Sequence, residues 1–300
     1  MSFLIRGSHH FSRAANLVGR RVSHHHQYHN FAITRRVPNS FVNSLSKYYD
    51  GNDGTNAISI PVARSQHEEY VAVLRSEVPT LELPTVEEHP DCVFVEDTVV
   101  AVQKRAVITF PGHVSRQGEV VAIRSILEQL GMEVWDMHSK CENAICDGGD
   151  VLYTGRHMFV GLSDRTNQKG ADVLSEAFSD QFPVIPVPLN SEDALHLKSM
   201  ITHVDDSTLL APIGPVGDAV IQDMDVKSLG YSVLRLPDIR ACNVVALNGT
   251  IVASSSSCKA SQQILLKAAE ERNLRVRFVE TTEVEKSDGA CTCCSVLLSL

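Results

Sequence analysis

The chain has no apolar run approaching the ~18 residues a membrane-spanning helix needs. It carries neither a Walker pattern nor a spaced Rossmann fingerprint, so a phosphate-cradling loop is excluded at Gly148-Gly149, where two glycines stand together. Net basic charge is also missing. With 27 Lys and Arg against 36 Asp and Glu, the formal charge is −9, which argues against nucleic acid as the main partner. The eight cysteines (92, 141, 146, 242, 258, 291, 293 and 294) lack the spacing of a small disulfide scaffold, and reduced thiols in an intracellular compartment follow. No paired-cysteine motif completes a four-ligand zinc site around Cys291 and Cys293. What remains is a protein that acts on a small molecule, with no membrane and no nucleic acid.

Acidic residues are absent from the first 49 positions, whereas Arg6, Arg13, Arg20, Arg21, Arg35, Arg36 and Lys47 are basic. Residues 1–27, with four of those arginines, read either as a mitochondrial transit peptide or as a tail on a cytoplasmic protein. Their histidines at 9, 10, 24, 25 and 26, with His29 beyond, read as incidental to a leader rather than as a metal tract. Residues 28–300 then form a single catalytic domain, and 43% hydrophobic content is enough to bury a sizeable core.

Strand-like patterns recur about every 50 residues, a period that brings repeat architectures to the front. They fall at 31–34, 93–102, 151–153 with 158–160, 209–211, 244–247 with 251–253, and 295–298. Helix-like stretches lie between them at 64–76, 116–130, 166–178, 218–229 and 259–272. Five strand groups alternating with five helices predict five modules around an axis, the last strand completing the module that the first begins. The competing architecture is a doubly wound sheet.

Three separated segments carry chemistry: Cys291-Thr292-Cys293-Cys294, Leu195-His196-Leu197-Lys198, and Asp147-Gly148-Gly149-Asp150. They supply a thiol, an acid/base and a carboxylate, a set that meets only if the fold gathers distant strand ends. Each residue also has a plain reading: a small buried thiol, a satisfied core histidine, a turn. Glu96 and Asp97 interrupt an apolar run as consecutive acids; with Asp91 they make an anionic pocket for a cation such as guanidinium.

Pro90–Asp97, Asp147–Leu152, Gly161–Ser163 with Arg165–Gln168, Leu195–Ser199 and Glu283–Leu297 together closely resemble the dimethylarginine dimethylaminohydrolase family, in order and spacing. The resemblance implies a five-bladed α/β propeller of repeated ββαβ-like modules with pseudo-five-fold symmetry, and hydrolysis of methylated arginine to citrulline without a metal or organic cofactor. It makes Cys293 the nucleophile, His196 the proton donor and acceptor, and Asp147 the carboxylate that orients it. It puts Asp91, Glu96, Asp97 and Asp288 in the guanidinium and amine pockets, Arg116 and Arg165 on the substrate carboxylate, and residues 50–56 in a mobile lid. Ser287 stands beside Asp288 where the family usually has an apolar residue, Ala290-Cys291 replaces a Leu-Leu pair, and Phe110 replaces a frequent Arg. The alternatives are an arginine deiminase, which would release ammonia, and a catalytically quiet propeller that binds methylarginine or a partner.

Overall fold

The computed structural model describes residues 28–47, 57–190, 192 and 194–300. The leader and the lid match at residues 50–56 lie outside the described residues.

Among the described residues the chain is mixed α/β, built from five three-stranded sheets. In chain order come β1 (Phe31–Arg35), α1 (Ile60–Glu77), β2 (Thr80–Leu83), β3 (Val99–Val102), β4 (Arg105–Ile108), α2 (Val120–Gln129), β5 (Glu133–Asp136) and α3 (Met137–Lys140). Then follow β6 (Val151–Tyr153), β7 (Met158–Leu162), α4 (Gln168–Phe178), β8 (Val184–Pro188), β9 (Thr202–Asp205), β10 (Thr208–Pro212), α5 (Pro215–Asp223) and β11 (Ser232–Leu236). The chain ends with β12 (Val244–Leu247), β13 (Thr250–Ser254), α6 (Lys259–Glu271), β14 (Arg275–Val279), α7 (Thr282–Glu285) and β15 (Val296–Leu298).

Each sheet repeats one plan. An antiparallel hairpin is followed by a helix, whose length permits the crossover that a parallel third strand requires. Thus β3 pairs antiparallel with β4, and α2 leads to β5 parallel to β4, with Arg105 opposite Glu133. The last strand, β15, pairs antiparallel with β1, Ile33 opposite Val296, so the two ends of the chain close one sheet as the periodicity predicts. Turn chemistry fixes the hairpins: Asn248 and Gly249 both have positive φ (48° and 83°), the conformation a two-residue hairpin needs between β12 and β13.

Apolar residues pack in five local clusters, each formed where a helix covers a sheet; one joins Ile123 and Leu127 of α2 to Ala106 and Ile108 of β4. The first strands of the sheets, β15, β3, β6, β9 and β12, all contribute residues to the wall of one cavity of about 150 Å³.

One expected strand is corrected. In the predicted 93–102 strand, Val95–Thr98 form a 3-10 turn, and only Val99–Val102 are extended. The two acids therefore occupy a buried turn rather than strand positions.

Candidate active site

Each of the five first strands is entered through a 3-10 turn: Val95–Thr98, Gly148–Asp150, Leu197–Ser199, Ile239–Cys242 and Thr292–Cys294. The turns touch in succession, and Asn243, just after the fourth, closes the series by bonding Thr292 at both its backbone N–H (2.9 Å) and its hydroxyl (3.0 Å). Four of these turns carry the chemistry read from the sequence. Glu96 and Asp97 lie within the first, Asp147 and His196 occupy the N-cap positions of the second and third, and Cys293 lies within the fifth.

His196 is aimed by its own turn. The Leu197 N–H donates to Asp150 Oδ1 (2.9 Å), while Asp150 Oδ2 accepts from the Ser163 and Thr166 hydroxyls (2.6 and 2.7 Å). The ring Nε2 lies 3.0 Å from Asp147 Oδ2, and Asp147 Oδ1 accepts the Gly112 N–H (2.8 Å). A histidine between two leucines would ordinarily be a satisfied core residue; this one is buried yet faces a cavity of about 340 Å³ together with Cys293. The paired glycines let the turns close on one another, since a Cβ on Gly148 would lie 2.0 Å from the Glu96 carbonyl oxygen.

The charges of these groups are interlocked. Burial lowers the pKa of His196, but the charge of Asp97, the Asp147 hydrogen bond and the charges of Asp150 and Asp147 outweigh it and raise the imidazole to about 9. Burial works in the opposite sense on Asp97, where the His196 and Arg116 charges, with hydrogen bonds from Arg116 and Gly149, hold it at about 2. Cys293 is pushed well up by burial and then by the anionic charges of Glu96 and Asp97. At neutral pH the resting pair is a thiol and an imidazolium.

Eight of the ten candidate residues line this cavity: Cys293, His196, Asp91, Asp97, Arg116, Arg165, Ser287 and Asp288. Asp147, fully buried, stands behind His196. Glu96 is not in the lining. It faces the smaller cavity on the other side of the turn, held by Lys198 Nζ (2.6 Å) and the Thr292 hydroxyl (2.9 Å), and acts on Cys293 through its charge rather than as a wall of the same pocket.

Arg116 lines the cavity but is engaged by the protein. Nε and Nη2 donate to Glu119 (3.1 and 2.8 Å), Nη1 to Asp97 (2.5 Å) and Nη2 also to the Phe94 carbonyl (3.0 Å), which leaves no bidentate fork for a substrate carboxylate. Its role in this arrangement is to fix Asp97. Arg165 differs: Nη1 is buried without a hydrogen-bond partner and lies 3.6 Å from Asp147. Asp91 Oδ1 accepts the Leu45 N–H (3.0 Å), Asp288 Oδ2 accepts the Lys47 N–H (2.5 Å), and the Ser287 and Ser44 hydroxyls are 2.5 Å apart, so these three residues hold the segment that leads toward the lid match.

Sequence reasoning missed Asp150, Glu119, Lys198 and Thr292. Asp150 and Lys198 stood inside the quoted motifs, and Thr292 next to the nucleophile candidate; nothing in the sequence singles out Glu119. Donor atoms of Asp97, Asp147 and His196 lie within 4.8 Å of one another, a set that suits a metal ion only after the imidazolium gives up its proton.

A family model for arginine deiminase matches residues 80–219. An N(G),N(G)-dimethylarginine dimethylaminohydrolase of Streptomyces coelicolor is 35% identical over 240 residues, covering 79% of this chain and 86% of the relative. The chain belongs to the dimethylarginine dimethylaminohydrolase family. Two solved structures of such hydrolases align over 90% of this chain and 99% of their own at 25% identity. One is a cysteine-to-serine mutant from Pseudomonas aeruginosa complexed with citrulline (TM-score 0.78); the other is a histidine-to-glycine adduct with S-methyl-L-thiocitrulline (TM-score 0.77).

Proposed function

We propose that the protein hydrolyses asymmetric dimethylarginine and monomethylarginine to citrulline plus dimethylamine or methylamine, through a covalent adduct on Cys293. The observation that carries this reading is a single cavity onto which Cys293, His196 and Asp97 all open, in a chain of this family. The citrulline and thiocitrulline ligands of the relatives support the same substrate class.

Chemistry starts from the resting charges. A guanidinium entering beside Asp97 offsets the negative charges that keep the Cys293 proton in place, so substrate binding favours loss of that proton to solvent and leaves the thiolate beside the imidazolium. The thiolate attacks the guanidinium carbon, and the C–N bond to the alkylamine breaks as His196 donates its proton to the leaving nitrogen. His196, now neutral and oriented by Asp147, takes a proton from water attacking the thiouronium carbon. The C–S bond breaks and citrulline leaves. Arg165, with its unpartnered Nη1, holds the substrate carboxylate; Asp91, Asp288 and Ser287 face the amine and guanidinium groups; Arg116 keeps Asp97 in place.

For the architecture, the reading is one catalytic domain over 28–300 folded as a five-bladed α/β propeller with pseudo-five-fold symmetry. The fivefold repetition of one sheet plan, the succession of touching turns and the shared cavity of the first strands support it. No helix among the described residues is long and apolar enough to cross a membrane. The acid-free leader fits a mitochondrial address or a tail on a cytoplasmic protein equally, and imaging the full chain beside one starting at Tyr28 distinguishes the two.

The test is release of citrulline and alkylamine from asymmetric dimethylarginine, monomethylarginine and arginine by the parent and Cys293→Ser. Turnover of the methylated substrates that vanishes in the variant is expected. Ammonia from arginine as the main product would move the reading to an arginine deiminase, the family whose model matches residues 80–219. Binding without turnover would move it to a quiet methylarginine-binding propeller.

A further inference from the structure

Four of the five 3-10 turns carry the chemistry; the fourth, Ile239–Cys242, carries no catalytic candidate. What it delivers is the next residue, Asn243, buried just before β12. A single hydroxyl brackets the backbone there: Thr202, on β9, donates to the Cys242 carbonyl (2.6 Å) and accepts the Val244 N–H (3.3 Å). From this fixed point the Asn243 amide reaches two other turns. Its Oδ1 accepts the Thr292 N–H (2.9 Å), and its Nδ2 donates to the Lys198 carbonyl (2.9 Å) and to the Thr292 hydroxyl (3.0 Å). Lys198 lies in the turn that His196 caps, and Thr292 immediately precedes Cys293, so one amide joins the acid/base turn to the nucleophile turn. Its orientation follows from its partners, since the reversed amide would set an oxygen against the Lys198 carbonyl and an NH2 against the Thr292 N–H.

The Thr292 hydroxyl, accepting from Asn243, gives its own proton to Glu96 Oε2 (2.9 Å), and Lys198 Nζ meets Glu96 Oε1 at 2.6 Å. Asn243, Thr292, Glu96 and Lys198 thus form a closed circuit that ties the first, third and fifth turns to the fourth. The nucleophile turn depends on this hold from outside. Its own backbone bonds are long, from the Cys294 N–H to the Cys291 carbonyl (3.4 Å) and from the Ser295 N–H to the Thr292 carbonyl (3.3 Å), past the usual range of about 2.7–3.2 Å. The corresponding bonds of the His196 turn, Ser199 to His196 and Met200 to Leu197, are 3.1 and 3.0 Å. Each bond that Thr292 makes with Asn243 and Glu96 is shorter than either bond of its own turn.

We infer that Asn243 is a positioning residue for the proposed reaction: through the Thr292 N–H and hydroxyl it fixes where the Cys293 thiol stands against the His196 imidazole. The inference rests on the reading that Cys293 and His196 act on one guanidinium carbon and its leaving nitrogen. Those steps need both groups aligned, whereas alkylation of the thiol by a small diffusing reagent needs the thiol alone. The experiment compares the full chain with Asn243→Ala, with Thr292→Val, which keeps the side-chain shape and loses the hydroxyl, and with Thr292→Ser, which keeps the hydroxyl. Citrulline release from asymmetric dimethylarginine gives kcat and KM, and peptide mapping gives the rate at which iodoacetamide modifies Cys293. Asn243→Ala and Thr292→Val are expected to lower kcat by on the order of 100-fold while KM and the alkylation rate stay within about threefold of the parent's, and Thr292→Ser is expected to recover most of the loss. A kcat within about threefold of the parent's in either of the first two variants overturns the inference. So does a fall in kcat matched by an equal fall in alkylation, which marks a merely structural role, or a Thr292→Ser no better than Thr292→Val. Should Asn243→Ala fail to fold, the two Thr292 variants decide. A parent that releases citrulline from neither methylated arginine nor arginine refutes the proposed function and this inference with it; an active parent beside unaffected variants refutes the inference alone.

Discussion

Gly149→Ala tests the claim that the paired glycines exist to let catalytic turns close on one another. A Cβ at this position would lie 2.6 Å from His196 Nδ1 and 2.9 Å from Asp97 Oδ1. Unstrained contacts begin near ~3.5 Å, so the imidazole must retreat by something approaching ~1 Å. The φ of Gly149 lies outside the left-handed region, which makes the cost one of packing rather than backbone, about 1–3 kcal/mol for a forced insertion into a filled site. The catalytic cost is larger in effect: displacing an acid/base group on that scale lowers kcat by on the order of 100-fold. The same shift pulls the Gly149 N–H from Asp97 Oδ1, now 2.8 Å away, and weakens one of the bonds that keep Asp97 ionised. Steady-state citrulline release at saturating asymmetric dimethylarginine gives kcat, and urea unfolding gives stability. A variant with parental kcat and an unchanged urea midpoint refutes the reasoning, because the ring would then have had room that the geometry denies it.

Three further outcomes are expected. His196 titrates at about 9 in the folded chain against 6.5 for a free imidazole, so its contribution, about 3 kcal/mol, is fully present below pH ~6.5 and is lost as pH rises through about 9. His196→Gln should flatten the urea midpoint between those values, and a parent whose midpoint is already flat there contradicts the assignment. Lys198→Met strands Glu96, 8% exposed and next to Asp97, and should cost about 3 kcal/mol in urea unfolding. Adding Glu96→Gln should recover most of that loss, and a double variant no better than the single one rules out the ion pair as the cause. Iodoacetamide at neutral pH should modify the exposed Cys258, whose thiol is lowered by hydrogen bonding to Ser261, before Cys293; Glu96→Gln should speed Cys293. Peptide mapping that finds Cys293 modified first in the parent would be incompatible with a resting thiol.

What could be read from the sequence follows the physics of burial. Val99–Val102 and Val244–Leu247 are almost wholly buried, so they stand out as continuous apolar runs. Their partners at the far side of each sheet do not: Thr80–Leu83, Glu133–Asp136, Ser232–Leu236 and Arg275–Val279 are short, half-exposed and mixed in polarity, and they pair in parallel with a strand some 25 residues away or more. Local pattern cannot announce a partner across a helix. The turns were hidden for another reason: Val95–Thr98 lies between apolar Val93-Phe94 and Val99–Val102, so its two acids read as a break within one strand, whereas in the structure it is a 3-10 turn against which Gly148 packs closely. Arg116 shows the limit of carrying a role by motif. Position placed it at the cavity, but its donors were committed to Glu119, Asp97 and Phe94, a fact that only packing reveals.

The electrostatics of the cavity also explain why a nucleophile is kept protonated at rest. A thiolate beside Glu96 and Asp97 would add a third negative charge to a buried cluster whose positive charges, Arg116, Lys198 and protonated His196, are already paired with Asp97, Glu119, Glu96 and Asp147. A cationic ligand supplies the missing positive charge where it is needed, whereas a neutral amide or an anionic electrophile does not. Selectivity for guanidinium compounds then has two layers: Asp97 attracts the cation, and only the cation makes the thiol reactive. Neutralising Glu96 or Asp97 would loosen the second layer while weakening the first, so Glu96→Gln should gain alkylation rate at Cys293 and lose discrimination between charged and uncharged electrophiles together. A variant that gained one without losing the other would separate the two effects and require a different origin for the raised thiol.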